Sequence, residues 1–360
     1  MTTDHDIARW RLRSQRLVRP HARSAADVVR GLLAVQAENR GQAGWAVACR
    51  TTRPDAGDLD AALAAGELVR THVLRPTWHF VAAADVGWLL ELTAPRVRPV
   101  VLRRLTDQHG WTTERLDGAT SVVVDGLAAR PDQDRAQLTD LLAAEGLDLG
   151  GQELMLLLGL LEVDRLVCSG RERDGTHTYA RLADRVPAAP PRDRDDALAE
   201  VALRYFTGHG PATERDLTYW ATLTLTDVRR GLALVGDRLT SFAHDGRTYW
   251  HAPDAAAPPA AQEPRAHLLQ LLDEMYRGYQ DSRMVLDPER LVPRGREAAL
   301  GMVLVDGRLV ASMRRRVGAR LRLEVMPYRT LRPAEVAAVE EAAARYGRYL
   351  GREHELVLSR

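Results

Sequence analysis

Apolar positions fall at helical spacing in the first stretch of the chain. Val28, Val29, Leu32, Leu33 and Val35 share one side of a helix that Ser24 and Asp27 open in the manner of a capping box. The pattern ends near Gln36-Ala37-Glu38-Asn39. A second helix is predicted over 58–66. Short strands at 69–74 and 77–81 follow, joined at Arg75-Pro76, and then helices at 83–92 and 95–105.

Further on the pattern repeats. Residues 135–182 read as helices 135–145 and 152–161 and strands 165–169 and 176–182. Residues 197–251 read as helices 197–207, 213–220 and 225–235 and strands 238–243 and 247–250. Both segments close on an Asp-Gly turn, Asp174-Gly175 and Asp245-Gly246, the two-residue signal of a tight hairpin. Helices followed by a hairpin are the parts of a winged helix: the helices form the helix-turn-helix and the hairpin is the wing. The opening part reads as a third, divergent copy.

Two Pro- and Ala-rich stretches, 186–196 and 252–264, read as linkers. The last part has strands at 301–305, 309–314 and 321–327, with Asp306-Gly307 as another turn. Its long helix, 333–350, carries Val336, Val339, Ala343 and Tyr346 along one face. The predicted fold is therefore α+β and mainly helical, with tandem winged-helix motifs and a C-terminal segment rich in strand plus a helix. The units fall at 1–130, 131–186, 195–252 and 264–360.

Composition narrows the chemistry. Among 360 residues the net charge is only +1, so a nucleic-acid site must come from local patches. All 50 basic residues are Arg, a bias that a GC-rich genome produces by itself. Without lysine there is no amine side chain for a Schiff base and no phosphate-loop lysine. Arg is the better fork for phosphate, so DNA binding is not weakened. Cys49 and Cys168 stand far apart, and no CxxC or zinc-type His/Cys spacing occurs. No GxGxxG and no GxSxG appears. We expect no cofactor and no metal. The polar start is unlike a signal peptide, and no apolar run approaches the roughly 18 residues of a membrane span. Nothing resembles a dimerisation zipper. The expected setting is a cytoplasmic, nucleoid-associated monomer on double-stranded DNA.

Three Arg patches could meet phosphate: the arm over 7–23; Arg96 and Arg98 with Arg103 and Arg104 on one helix; and Arg315 and Arg316 beside a hairpin turn. Each can equally be a solvated face. His72, Trp78 and His79 mark the first hairpin, flanked by Arg70 and Arg75, as candidate groove contacts or as ordinary strand-pair positions. Asp273, Glu274, Asp281 and Arg283 could line a polar cleft or pair on the surface. The pair with sharpest chemistry is Gln36 and Glu38. A Gln can orient a water and a Glu can take its proton, which is what hydrolysis of an N-glycosidic bond requires. Polar residues at a helix end are also commonly just solvated.

Leu32-Leu33-Ala34-Val35-Gln36-Ala37-Glu38 resembles the start of the AlkZ-type DNA glycosylases. Val69-Arg70-Thr71-His72-Val73-Leu74-Arg75-Pro76-Thr77-Trp78-His79-Phe80-Val81, with Asp85 and Trp88, does likewise. Gly210-Pro211-Ala212-Thr213 with Asp216 and Trp220, and Leu272-Asp273-Glu274 with Gly278-Tyr279, continue the similarity in order along nearly the whole chain. The resemblance implies tandem winged helices around a DNA channel, excision of alkylated purines and unhooking of interstrand crosslinks. Its catalytic motif, Gln-x-Gln or Gln-x-Asp, falls on Gln36-Ala37-Glu38, where Gln36 matches and Glu38 departs. The longer carboxylate either serves as the base or marks a member with a different lesion or none. The two functions that follow are a monofunctional glycosylase and a non-enzymatic DNA-binding regulator.

Overall fold

Three times along the chain the same order recurs: helix, short strand, two helices, hairpin. The computed structural model describes residues 2–188, 190–255, 263–293 and 300–359. Both predicted linkers fall partly outside the described residues, at 189 and at 256–262.

The first unit runs through helix Ala25–Leu32, strand Ala34–Gln36, helices Arg40–Ala48 and Ala56–Ala64, and strands Leu68–His72 and Trp78–Ala82. The second has helix Thr113–Ala129, strand Gln133–Asp134, helices Arg135–Ala144 and Gly151–Val163, and strands Val167–Ser169 and Thr178–Arg181. In the third, helix Arg194–His209 leads to a single bridge at Ala212, then helices Glu214–Ala221 and Leu225–Val235 and strands Thr240–His244 and Arg247–His251. Each time the short strand pairs antiparallel with the last strand of the hairpin: Ala34 with Val81, Gln133 with Tyr179, Ala212 with Trp250. The first unit, expected as a divergent copy, thus carries a complete three-stranded sheet.

The three Asp-Gly turns have the backbone that the dipeptide favours. Both residues of each turn, including Asp174-Gly175 and Asp245-Gly246, sit at positive φ, as a two-residue turn matched to strand twist requires.

Several boundaries differ from the predicted ones for identifiable reasons. Helix Ala25–Leu32 stops early because Leu33 adopts a left-handed φ of 68°, and the chain then enters a strand. Helix Arg40–Ala48 shows no amphipathic stripe, since Ala43 to Ala48 are all buried, so periodicity does not reveal it. The expected break at Pro95 does not occur. Helix Ala83–Arg103 runs through Pro95 and Pro99, its Leu89, Val97 and Val101 face packed inward. That burial outweighs the roughly 3 kcal/mol that an interior proline opposes to a helix.

The C-terminal part is a five-stranded sheet in the order 354–358, 321–327, 308–317, 301–305, 266–269. Its one parallel pair, Leu321–Pro327 with His354–Leu358, is joined by helix Pro333–Leu350, the crossover that parallel strands need. This sheet, helix Asp4–Ser14 and Trp45 share one apolar core. A second core joins the third unit to Leu74 and Val81 of the first and to Leu89 of helix Ala83–Arg103. About half the residues are helical and a fifth lie in strands, so the fold is α+β and mainly helical.

Candidate active site

Gln36 ends the short strand of the first unit and Asn39 caps the helix that follows, so Gln36-Ala37-Glu38 is the link between them. Gln36 lies opposite His79 in the sheet, and Ala37 N donates to Trp78 O at 2.7 Å. Ala37 is buried in the first unit's core. The polar side chains on either side of it both reach the hairpin turn. The Gln36 Oε1 accepts from Arg75 Nη2 at 3.2 Å, and the Glu38 Oε2 accepts from Trp78 N at 3.0 Å. A strand rather than a helix end therefore brings the two together. Gln36 is 7 % exposed, whereas Glu38 is open to solvent. Among the described residues the Gln36 amide nitrogen has no protein partner, which leaves it for a water or a substrate atom.

Two buried carboxylates hold this junction. Glu274, fully buried, accepts from Gln36 N at 2.8 Å through Oε1. Its Oε2 meets Trp220 Nε1 at 3.0 Å and His209 Nε2 at 3.3 Å, both from the third unit. Burial pushes the Glu274 carboxyl up, but His209 and then Arg75 outweigh it and hold the group well below its ordinary range. Glu162, on the second unit's helix, is also fully buried. It accepts from His72 N at 3.0 Å and Trp78 Nε1 at 3.2 Å, and its Oε2 contacts His72 Nδ1 closely. The candidate site thus sits where the first unit's hairpin is clasped by acids from the second unit and the C-terminal part.

The family profile for AlkZ-like DNA glycosylases matches residues 29–349. The chain belongs to the AlkZ-like DNA glycosylase family. It is 27 % identical to the interstrand DNA cross-link repair glycosylase of Streptomyces sahachiroi, over 95 % of each chain. Its fold superposes on that of the Streptomyces sahachiroi DNA glycosylase AlkZ with a TM-score of 0.80 and 25 % identity, covering 99 % of this chain and 100 % of the other. The chain is therefore a DNA glycosylase, a hydrolase of N-glycosyl bonds, and the regulator reading is set aside. Among the described residues no helix is long and apolar enough to cross a membrane.

This AlkZ-like chain places the other sequence candidates unevenly. Arg70 is turned inward rather than exposed on the hairpin. It is buried, donates to Ala37 O at 2.9 Å and Glu38 O at 3.3 Å, and lies over the Trp78 ring at 4.3 Å. It braces the backbone of the Gln36–Glu38 link. His79 is likewise fully buried behind Gln36, with Nδ1 on Thr77 O. Burial, then Arg75, pushes it down to about 3, so it is neutral. Trp78 is half-buried, its ring beside His72 at 4.6 Å and His177 at 5.6 Å. Arg75 is partly exposed and also donates to Arg277 O at 3.0 Å.

Arg98 is committed to Asp164 through two bonds of 2.7 and 3.1 Å, a partner 66 positions away that sequence inspection does not reveal. Arg96 and Arg316 are exposed with no acid in ion-pair reach among the described residues, and the half-buried Arg315 donates to the Tyr346 hydroxyl. The basic stretch 7–23 is no free arm: helix Asp4–Ser14 runs through it, and Arg11 is buried against Pro211 O at 2.9 Å and the Tyr279 ring at 3.7 Å. Asp273 does not line a cleft. It forms a fully buried pair with Arg50 at 2.8 and 3.0 Å. Arg283 pairs with Asp287 at 2.9 Å, and Asp281 is exposed on a groove beside the third wing. Of the two structurally central acids, sequence reasoning offers Glu274 only as a cleft residue beside Asp273, and misses Glu162 altogether. A signal for Glu162 exists in the sequence: it is the lone acid closing the run Leu154 to Leu161.

Proposed function

We propose that this glycosylase removes alkylated purines, and unhooks interstrand crosslinks, with Gln36 and Glu38 as its hydrolytic pair. The observation that carries the reading is the convergence of both side chains on the 75–78 turn, one held and one open to solvent. Gln36 orients a water and Glu38 takes its proton. The water oxygen bonds to C1′ of the sugar as the N-glycosidic bond breaks, and the bonding pair leaves with the base. An alkylated purine is cationic, so it accepts that pair without a general acid and departs neutral. The Glu38 carboxylate also stabilises the cationic sugar in the transition state. With no lysine to form a Schiff base, the product is an intact strand with an abasic site. The name of the Streptomyces relative, a cross-link repair enzyme, supports the crosslink part.

In this reading the segments 1–130, 131–186, 195–252 and 264–360 act together as a monomer on duplex DNA in the nucleoid. The exposed Arg96 and Arg316, with Arg315, contact phosphate, and Arg75 and Trp78 lie at the lesion. Base release from N7-methylguanine duplex and from a crosslinked duplex tests it. Removing a positioned base lowers rates about 10²–10⁴-fold, so Gln36→Ala and Glu38→Ala should each fall by that order. Full activity in both variants would place the chemistry elsewhere.

A further inference from the structure

A cavity of about 910 Å³, lined by none of residues 36–38 or 75–78, lies between helix Asp4–Ser14, strand Ala266–Leu269 and helix Pro333–Leu350. Three guanidinium groups line it: Arg19 from the turn after the first helix, Arg265 at the strand's start and Arg345 from the long helix. Among the described residues none of the three has an acid in ion-pair reach. A fourth, Arg9, is paired with Asp6 at 2.6 Å. The acids on the lining are placed differently. Asp306 accepts from Arg265 N at 3.0 Å, while Glu263 and Glu341 are exposed at the rim, where water screens them.

The floor of the cavity carries an unusual group. His267 is 3 % exposed, and its Nε2 is buried with no hydrogen-bond partner among the described residues. The Arg345 Nε is buried and unpartnered as well. A native fold leaves few such polar atoms unsatisfied, and each asks for a ligand or a role. Burial, then the charges of Arg345, Arg50, Arg265 and His21, push His267 down to about 3. The cations that exclude a proton from this imidazole would favour an anion beside it. The lining also has an apolar part, with Leu12, Leu17, Ala338 and Ala342. The volume lies in the range of small-molecule sites and exceeds what one tetrahedral anion fills.

We propose that this cavity is a second binding site, for a phosphate group carried on a larger body. Arg19, Arg265 and Arg345 fork onto the phosphate oxygens, His267 donates from the floor, and the apolar lining meets the attached organic part. The phosphate belongs either to a small phosphate ester or to a DNA backbone, and two arms separate them. In the first, inorganic phosphate and adenosine monophosphate are titrated into the full chain by calorimetry, at ionic strength held constant with chloride. Adenosine monophosphate should bind more tightly than phosphate. Arg265→Glu and Arg345→Gln should each weaken it at least tenfold, without changing the circular dichroism spectrum.

In the second arm, the salt dependence of binding to an undamaged duplex is compared between the wild type and the same two variants. If the phosphate is that of a DNA backbone, each substitution lowers the slope by about one, the share of a single neutralised phosphate. Loss in the first arm assigns a free ester, and loss in the second assigns DNA; either supports the site. No probe binding together with an unchanged slope overturns it. Arg265 is exposed, so its replacement leaves a folded protein even where Arg345→Gln does not.

Discussion

Glu274→Gln preserves shape and removes one charge at the point where Gln36 is tied to the rest of the molecule. The carboxylate meets Gln36 N on one oxygen, at 2.8 Å, and Trp220 Nε1 and His209 Nε2 on the other, at 3.0 and 3.3 Å. An amide has a single oxygen. Facing Gln36, it turns its NH₂ on Trp220 and His209; reversed, it turns its NH₂ on the Gln36 N–H. Either way one buried donor loses its acceptor. Charged hydrogen bonds are worth about 1.5–3 kcal/mol each and an unsatisfied buried donor costs about 1–3, so we expect about 3 kcal/mol of lost stability. Gln36 keeps its strand pairing to His79 but loses its brace. Displacing a positioning group by about 1 Å can cost 10²-fold, so single-turnover base release should fall between 10- and 100-fold.

Affinity for duplex should hold, because Glu274 is fully buried and cannot touch DNA. The assay pairs urea unfolding with single-turnover excision, run where circular dichroism shows the variant folded. The carboxyl is held below its ordinary value of 4.5, so its contribution is complete above that pH and is lost as pH falls below it. Wild-type stability should therefore decline in acid more steeply than that of the variant. If unfolding is unchanged, the three bonds do not hold the junction. If stability falls while excision stays within twofold, Glu274 does not position Gln36.

Three further outcomes follow from the packing. Glu162→Gln should loosen the first hairpin, because Glu162 alone receives both His72 N and Trp78 Nε1; hydrogen exchange over 68–82 should quicken, and an unchanged pattern refutes the clasp. Gly208→Ala would set a Cβ 2.4 Å from the backbone oxygen of Gly31, which cannot turn aside, so the first and third units must part, at about 1–3 kcal/mol, visible as a lower thermal midpoint. Burial pushes the Cys49 thiol up to about 11 and the Cys168 thiol up to about 12, so iodoacetamide at pH 8 should label neither until the protein is unfolded, as mass spectrometry can check.

The repeat is legible because local chemistry writes it. Asp174-Gly175 and Asp245-Gly246 fix their turns whatever surrounds them, and helices Arg135–Ala144 and Leu225–Val235 ahead of them bury one face. Helix Arg40–Ala48 is not legible, since a helix buried on every side has no stripe to read. The acid partner of Arg98 and the burial of Arg11 are hidden for another reason. Asp164 lies 66 residues away from Arg98 and Pro211 lies 200 from Arg11, so no local pattern reports them. A charge count measures the free cations of a surface only after such long-range pairs are removed. For that reason the Arg patches shrink to a few exposed members such as Arg96 and Arg316.

Gln36 is visible as a residue type, but its rigidity is a tertiary property: a sheet partner on one side, Glu274 behind and Arg75 on its amide oxygen. Among the described residues Glu38 has one bond to its carboxylate, from Trp78 N, and is otherwise in solvent. Its backbone carbonyl is the part that is held, by Arg70. The junction therefore fixes where the Glu38 chain starts and leaves its carboxylate mobile. A side chain one methylene longer than Asp can swing that carboxylate toward a water lodged at Gln36 once DNA covers the turn. If so, Glu38→Asp should lower the rate of base release more than the affinity for DNA, whereas Glu38→Gln should abolish release and leave affinity intact.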